Sequence, residues 1–436
     1  MNKEEVLENV INYLRQKDKE EPFIKGEDEV PVSGGKLLLN DILNMVDAAL
    51  DGWVTESKWA EEFRRALGEY TGNRNVVLCN SGSSANLLAI SALKERYGLR
   101  NGDIVVTSAL AFSTTVAPII QAGLIPCFVD INLYTLNPDP ETIEKAVRSR
   151  KARGVVLAHT LGFPYDIKRV DEICRDNNIF LLQDCCDALG ARTKEGTQLS
   201  EYSDVSTLSF FPAHQITTGE GGAVLCNNGR LFNIIRSYAN WGRDCWCKPG
   251  ESNTCGKRFE WKFEWKFDKL PDGYDHKYIY SRVGYNMKMT ELQAALGVSQ
   301  MAKIKTIVHL RRMNYIYLKS NLKCIPNFSD YFTLFRSPIL SSPFGFPIMV
   351  KSENGITRNQ VVSFLEERKI RTRPIFSGNI TFQPMMRPIP YDTAGYLTNC
   401  TTIMNDAFWL GVHPELKQAQ LDYVIESFAD YLGRRL

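Results

Sequence analysis

Short apolar runs separated by stretches of helical pattern recur from about Val76 to Arg236, and this alternation limits the fold more than any other feature. Val76-Val77-Leu78-Cys79, Ile104-Val105-Val106-Thr107, Val155-Val156-Leu157-Ala158 and Ile179-Phe180-Leu181-Leu182 have strand length. Runs apolar at consecutive positions suit strands covered on both faces. Helical patterns at Pro140–Ser149 and Ile167–Asn177 fall between them, as parallel crossovers require. The expectation is an α/β fold with a mostly parallel sheet in a large domain. After about Met301 a long helix, interrupted structure and strands such as Phe346–Val350 suggest a smaller α+β C-terminal domain. The division expected is an N-terminal helical segment 1–34, a large domain 35–300 containing a cysteine-rich loop at 244–259, and a small domain 301–436. The chain is long enough to bury a core in each of the two domains.

Composition narrows the function classes. A formal net charge of +2 leaves no electrostatic footprint for nucleic acid. No apolar run approaches the ~18 residues of a membrane span. The charged start Met1-Asn2-Lys3-Glu4-Glu5 argues against a secretory signal. Eleven cysteines, an odd number, then read as reduced thiols of a cytoplasmic protein rather than a disulfide framework.

Several local patterns carry chemistry. Asn80-Ser81-Gly82-Ser83-Ser84-Ala85-Asn86-Leu87 follows a strand and opens a helix, so backbone N–H groups and small hydroxyls converge where a phosphate could sit. A plain helix cap is the commoner meaning of such a turn. Asp184 ends a strand, on the side of a parallel sheet where ligands bind. His214 lies in Ser209-Phe210-Phe211-Pro212-Ala213-His214, ahead of a glycine-rich turn. An isolated histidine there would ordinarily be satisfied in a turn; in an active site its imidazole would move protons. Cys245, Cys247 and Cys255 lie in one polar loop. Thiolates so grouped suit zinc or an iron–sulfur cluster, with Cys185 or Cys186 as a fourth ligand, and the spacing alone leaves the metal open. Unliganded reduced thiols are the alternative. Between Phe259 and Phe267 aromatic and charged residues alternate strictly, which favours a hairpin strand with one aromatic face; contact with a partner reductase is the alternative.

Taken together, Cys186-Asp187-Ala188-Leu189-Gly190, Pro212-Ala213-His214, Cys245-Trp246-Cys247, Asn253–Phe259 and Gly284–Gly297 resemble a small branch of the DegT/DnrJ/EryC1/StrS sugar aminotransferase and dehydratase family. These are fold-type I vitamin B6 enzymes, most of which carry a lysine where His214 stands. Imidazole cannot exchange imines with an aldehyde cofactor, so the resemblance implies the amine form, pyridoxamine 5'-phosphate, with His214 as catalytic base. It further implies Gly82, Ser83, Ser84 and Ser209 on the cofactor phosphate, Phe112 stacked on the ring, Asp184 on the pyridine nitrogen and Asp187 towards the 3-hydroxyl. Asn286 matches an asparagine that reaches the phosphate of a neighbouring subunit, which implies a homodimer. A 2Fe-2S cluster held by Cys186, Cys245, Cys247 and Cys255 is implied too, fed by a flavin and iron–sulfur NAD(P)H-dependent reductase. The activity implied is removal of the C3 hydroxyl of a nucleotide-linked 4-keto-6-deoxyhexose, with CDP the favoured nucleotide, in the supply of dideoxysugars for lipopolysaccharide. Phe211 departs from a tyrosine of that branch, so any role of a phenol falls to another group. The rivals are a sugar aminotransferase, a glutamate-dependent 3-dehydratase without a cluster, and a noncatalytic metal-binding or iron-sensing protein.

Overall fold

The computed structural model describes residues 2–17, 21–243, 245, 247, 250–254, 256–260, 270–271 and 273–434. Its strands in chain order are β1 (Asn75–Cys79), β2 (Ile104–Ser108), β3 (Ile125–Val129), β4 (Gly154–Ala158), β5 (Phe180–Asp184), β6 (Val205–Ser209), β7 (Gly222–Cys226), β8 (Phe332–Leu334), β9 (Gly345–Val350), β10 (Asp392–Thr393) and β11 (Ala407–Gly411). The large sheet has the order β1-β7-β6-β5-β4-β2-β3-β10. Only β7 in it runs antiparallel to its neighbours, among the described residues.

The strands are apolar at successive positions because both faces of this sheet are covered. In β1, Val76 and Leu78 join a core with Phe63 and Leu67 of the helix Lys58–Thr71. Val77 and Cys79 point the other way, to Leu88 and Ala92 of the helix Gly82–Arg96. The two-residue period of a strand thus divides one run between two cores.

The antiparallel sheet β11-β9-β8 forms the second unit. Its Phe346 and Phe408 bury against Leu365 and Phe428 of the helices Arg358–Glu367 and Gln418–Gly433. The helix Glu291–Leu322 runs through position 300, where the sequence suggests a division, and Thr290 caps its start by accepting from Gln293 N. Buried Glu291 in its first turn accepts backbone N–H bonds from Ser57, Trp59 and Ala60 at 2.5–3.0 Å. The chain also returns late to the large sheet, where β10 pairs with β3. The repeat at 259–267 falls mostly outside the described residues. No described helix is long and apolar enough to cross a membrane.

Candidate active site

β4, β5 and β6 are parallel neighbours and end on one side, where the helix Gly82–Arg96 begins. A cavity of about 580 Å³ opens there, lined by Gly82, Ser83, Phe112, Asp184, Cys186, Asp187, Ser209 and His214 among others. This is the carboxyl-end crevice where open α/β sheets bind ligands.

At the cavity floor Ser81 caps the helix, its Oγ accepting from Ser84 N at 3.0 Å. Ser84 is thereby tied into the cap and is not among the lining residues. Gly82 is required by space: an added Cβ would stand 2.5 Å from Ser209 Cβ and 3.0 Å from Cys186 Sγ. Free N–H groups of a first turn, with Ser83 and Ser209 beside them, make a cradle for a phosphate.

Asp184, almost fully buried, is held by three donors. Asn86 Nδ2 (2.9 Å) and Thr115 Oγ1 (2.7 Å) donate to Oδ2, and Cys186 N (3.1 Å) donates to Oδ1. Asn86 is fixed in turn by Thr207, whose hydroxyl donates to its Oδ1 at 2.6 Å. Such a network fixes a carboxylate in one orientation. Across the opening, Phe112 is half exposed and meets Phe376 edge-on with centroids 6.4 Å apart. Its free face suits stacking on a flat ring.

The His214 loop turns tightly, with His214 N donating to Phe211 O at 3.0 Å. Arg311 clamps it: the guanidinium donates to the carbonyls of Ala213 (3.1 Å), His214 (2.9 Å) and Phe344 (3.1 Å). Burial pushes the Arg311 pKa down to about 10, so the ion is still charged at neutral pH. Gln215 Nε2 adds bonds to the carbonyls of Asp187 (2.5 Å) and Ser342 (3.1 Å). These hold His214 Nδ1 at 3.4 Å from Asp187 Oδ1, an electrostatic contact longer than a good N–H···O bond. Burial raises the Asp187 carboxyl above its ordinary range, and His214 opposes that rise. His214 Nδ1 and Asp187 Oδ2 are buried without a hydrogen-bond partner among the described residues. Both residues nevertheless line the cavity with other atoms. The donor set therefore fits pyridoxamine phosphate: cradle at one end, Asp184 at the other, Phe112 over the face and His214 at the side.

The cysteines are not brought together in the same way. Cys186 lines this cavity, and burial followed by the nearby carboxylates of Asp184 and Asp187 raises its thiol well above the usual range. Cys245 and Cys247 instead line a different cavity of about 550 Å³, with Val76, Arg236, Trp241, Arg243 and Lys288. Thr254 Oγ1 donates to Cys247 Sγ there at 3.0 Å, and Cys255 lies outside the described residues. Among the described residues no group of three or more histidine, cysteine or acidic side chains is placed to hold a metal ion. The expected four-cysteine set is thus not assembled by the described part of one chain, because two strands of the sheet lie between β1 and β5. Asn286 also stands away from the first cavity, its backbone bridged to Asn240.

Asn86, Thr115, Thr207, Gln215 and Arg311 were not assigned from sequence. Asn86 lies inside the small-residue turn, a usable signal; the others acquire their roles only through tertiary contacts.

The profile of the DegT/DnrJ/EryC1/StrS aminotransferase family matches residues 38–429. The chain belongs to this family. Within the DegT/DnrJ/EryC1/StrS family it is 43% identical to the lipopolysaccharide biosynthesis protein RfbH of Salmonella typhimurium, over 99% of this chain and 98% of that one. It is 42% identical to dTDP-4-dehydro-2,6-dideoxy-D-glucose 3-dehydratase of Saccharopolyspora spinosa, covering 99% and 92%. A GDP-4-keto-6-deoxymannose-3-dehydratase with bound GDP-perosamine superposes with a TM-score of 0.81 at 25% identity, covering 91% of this chain and 99% of that one. The chain is thus an enzyme of the nucleotide-sugar dehydratase and aminotransferase group, with the pyridoxal or pyridoxamine phosphate chemistry of its family.

Proposed function

We propose that the protein is a 3-dehydrase that removes the C3 hydroxyl of a nucleotide-linked 4-keto-6-deoxyhexose, with CDP-4-keto-6-deoxyglucose as substrate. The observation that carries this is His214 in the cofactor cavity, with no lysine among the lining residues. Bound pyridoxamine phosphate supplies an amine for the C4 ketone and an electron-accepting ring. His214, clamped by Arg311 and Gln215, would take a proton from the cofactor C4' carbon, and the same imidazole would protonate the departing hydroxyl. Asp184 would keep the pyridine nitrogen protonated, Gly82, Ser83 and Ser209 would hold the phosphate, with Ser84 fixing the start of the helix through its bond to Ser81, and Phe112 would fix the ring plane.

A net C3 deoxygenation consumes two electrons, which a flavin and iron–sulfur NAD(P)H-dependent reductase would supply; the cysteine pattern of the sequence is what suggests a 2Fe-2S centre on Cys186, Cys245, Cys247 and Cys255 as their acceptor, a set that the described part of one chain does not bring together. The proposal includes a cytoplasmic homodimer in which Asn286 reaches the partner's cofactor phosphate. A second reading, a glutamate-dependent dehydratase without a cluster, is favoured by likeness to a GDP-4-keto-6-deoxymannose-3-dehydratase solved with a trapped PLP-glutamate geminal diamine, which superposes with a TM-score of 0.80 at 25% identity over 91% of this chain.

The test supplies anaerobically purified protein with pyridoxamine phosphate and CDP- or dTDP-4-keto-6-deoxyglucose, with a reductase or with glutamate. Reductase-dependent 3-deoxygenation of the CDP sugar supports the proposal. Turnover driven by glutamate alone supports the second reading, and transfer of an amino group to the sugar overturns both.

A further inference from the structure

The second unit contributes a wall of its own to the cofactor cavity, made by Phe344, Arg373, Phe376 and Trp409. Arg373 is the only lysine or arginine among the described residues lining that cavity; the other charged or titratable groups there are Asp184, Cys186, Asp187 and His214 on the cofactor side. Its backbone is fixed to the edge of β11. Arg373 N donates to Trp409 O at 3.1 Å, Trp409 N donates back to Arg373 O at 2.8 Å, and the indole Nε1 donates to Pro374 O at 3.0 Å. Ring contacts carry this anchor point towards the catalytic histidine, since Trp409 and Phe344 have centroids 5.3 Å apart and Phe344 and His214 5.2 Å. The guanidinium itself is little used. Its Nη1 donates to Thr372 O at 2.7 Å, and it forms no ion pair among the described residues. Most of its N–H donors are left for whatever enters the cavity.

We propose that Arg373 anchors the diphosphate of the nucleotide-sugar substrate, holding the C1 side of the sugar while its C4 ketone faces His214. This rests on the nucleotide-sugar substrate of the proposed function. Such a substrate carries its negative charge on the diphosphate. The cofactor end of the cavity is given over to the cofactor's own phosphate and to the side chains of Asp184 and Asp187, so a second anion is favoured away from it. The opposite wall supplies the one fixed cation, and a guanidinium meets phosphate oxygens with paired N–H donors in a planar fork. A dicarboxylate amino acid such as glutamate fits this wall less well. It needs a cation for each carboxylate, and Arg373 stands alone beside the rings of Phe344, Phe376 and Trp409.

Calorimetric binding to protein loaded with pyridoxamine phosphate tests this contact without requiring turnover. Cytidine, CDP, dTDP, GDP and L-glutamate are titrated into wild type, Arg373→Gln and Arg373→Lys. Wild type is expected to bind CDP at least ~10-fold more tightly than cytidine. Arg373→Gln should weaken CDP roughly 10- to 150-fold while cytidine and pyridoxamine phosphate stay within about threefold of wild type. Arg373→Lys keeps the charge but not the fork and should fall between; it decides by the same comparison if the glutamine variant does not bind the cofactor. The loss should be as large for dTDP and GDP, because the contact ignores the base. A wild type that prefers one of these two, with the same loss in the variant, supports the anchor while refuting CDP as the nucleotide. Unchanged diphosphate affinity in Arg373→Gln overturns the proposal, as does an equal loss for cytidine. A wild type that binds no diphosphate more tightly than the nucleoside overturns it too, and weakened glutamate binding with CDP unaffected would make Arg373 a carboxylate site instead.

Discussion

Gly82→Ala isolates the geometry on which cofactor binding depends. The added methyl would stand 2.5 Å from Ser209 Cβ, 2.9 Å from Ser209 Oγ and 3.0 Å from Cys186 Sγ. Ordinary carbon contacts lie near ~3.5–4.0 Å, so the helix start and the end of β6 must separate by about 1 Å. Overpacking of this kind costs about 1–3 kcal/mol. Alanine otherwise favours a helix over glycine by up to about 1 kcal/mol, and the two effects have opposite signs. Separation also draws the first-turn N–H groups off the phosphate. Losing one bond to a charged group, about 1.5–3 kcal/mol, weakens pyridoxamine phosphate binding roughly 10- to 150-fold. Thermal unfolding of the cofactor-free protein and a fluorescence titration with the cofactor measure the two effects. A melting temperature at or above wild type with unchanged affinity would refute the proposed cradle.

His214→Asn is expected to bind pyridoxamine phosphate within a few-fold of wild type yet lose C4' proton exchange by at least ~100-fold, read by loss of deuterium from a labelled cofactor. Asn86→Leu removes the partner of both Asp184 and Thr207; it should cost about 2–5 kcal/mol in denaturant unfolding, with cofactor binding weakened as well. His159 is fully buried, and burial pushes its pKa down to about 4 from an ordinary 6.5, opposed by Gln183. The unfolded chain therefore takes up this proton first, and stability falls as pH drops from 6.5 towards 4, by about 1.4 kcal/mol per unit. His159→Gln should flatten that part of a melting-temperature profile, and an identical slope would show that His159 is not its source.

The sequence reading located the runs that became β1, β2, β4, β5 and β9 to within two residues at either end, because strands buried on both faces are apolar throughout. It did not single out β6, Val-Ser-Thr-Leu-Ser, whose polar side chains are buried by serving Asn86 and Gln183. The cofactor side of the site was legible because a small-residue turn, a strand-terminal carboxylate and a loop histidine are local patterns. Arg311 was not. A cation in a long helix normally faces water, and only the fold shows this one bonded to the backbone of the histidine loop.

The late pairing of β10 with β3 has a consequence for biosynthesis. β3 is complete on its inner side once β2 has formed, but its outer edge finds Asp392 and Thr393 only after most of the chain has been made. A growing chain that folds from its N-terminus would hold that edge open while the later segments are translated, and open edges invite pairing with other chains. Slow translation or truncation before residue 392 should therefore favour aggregation through β3, although every element of the cofactor cavity floor would already have left the ribosome.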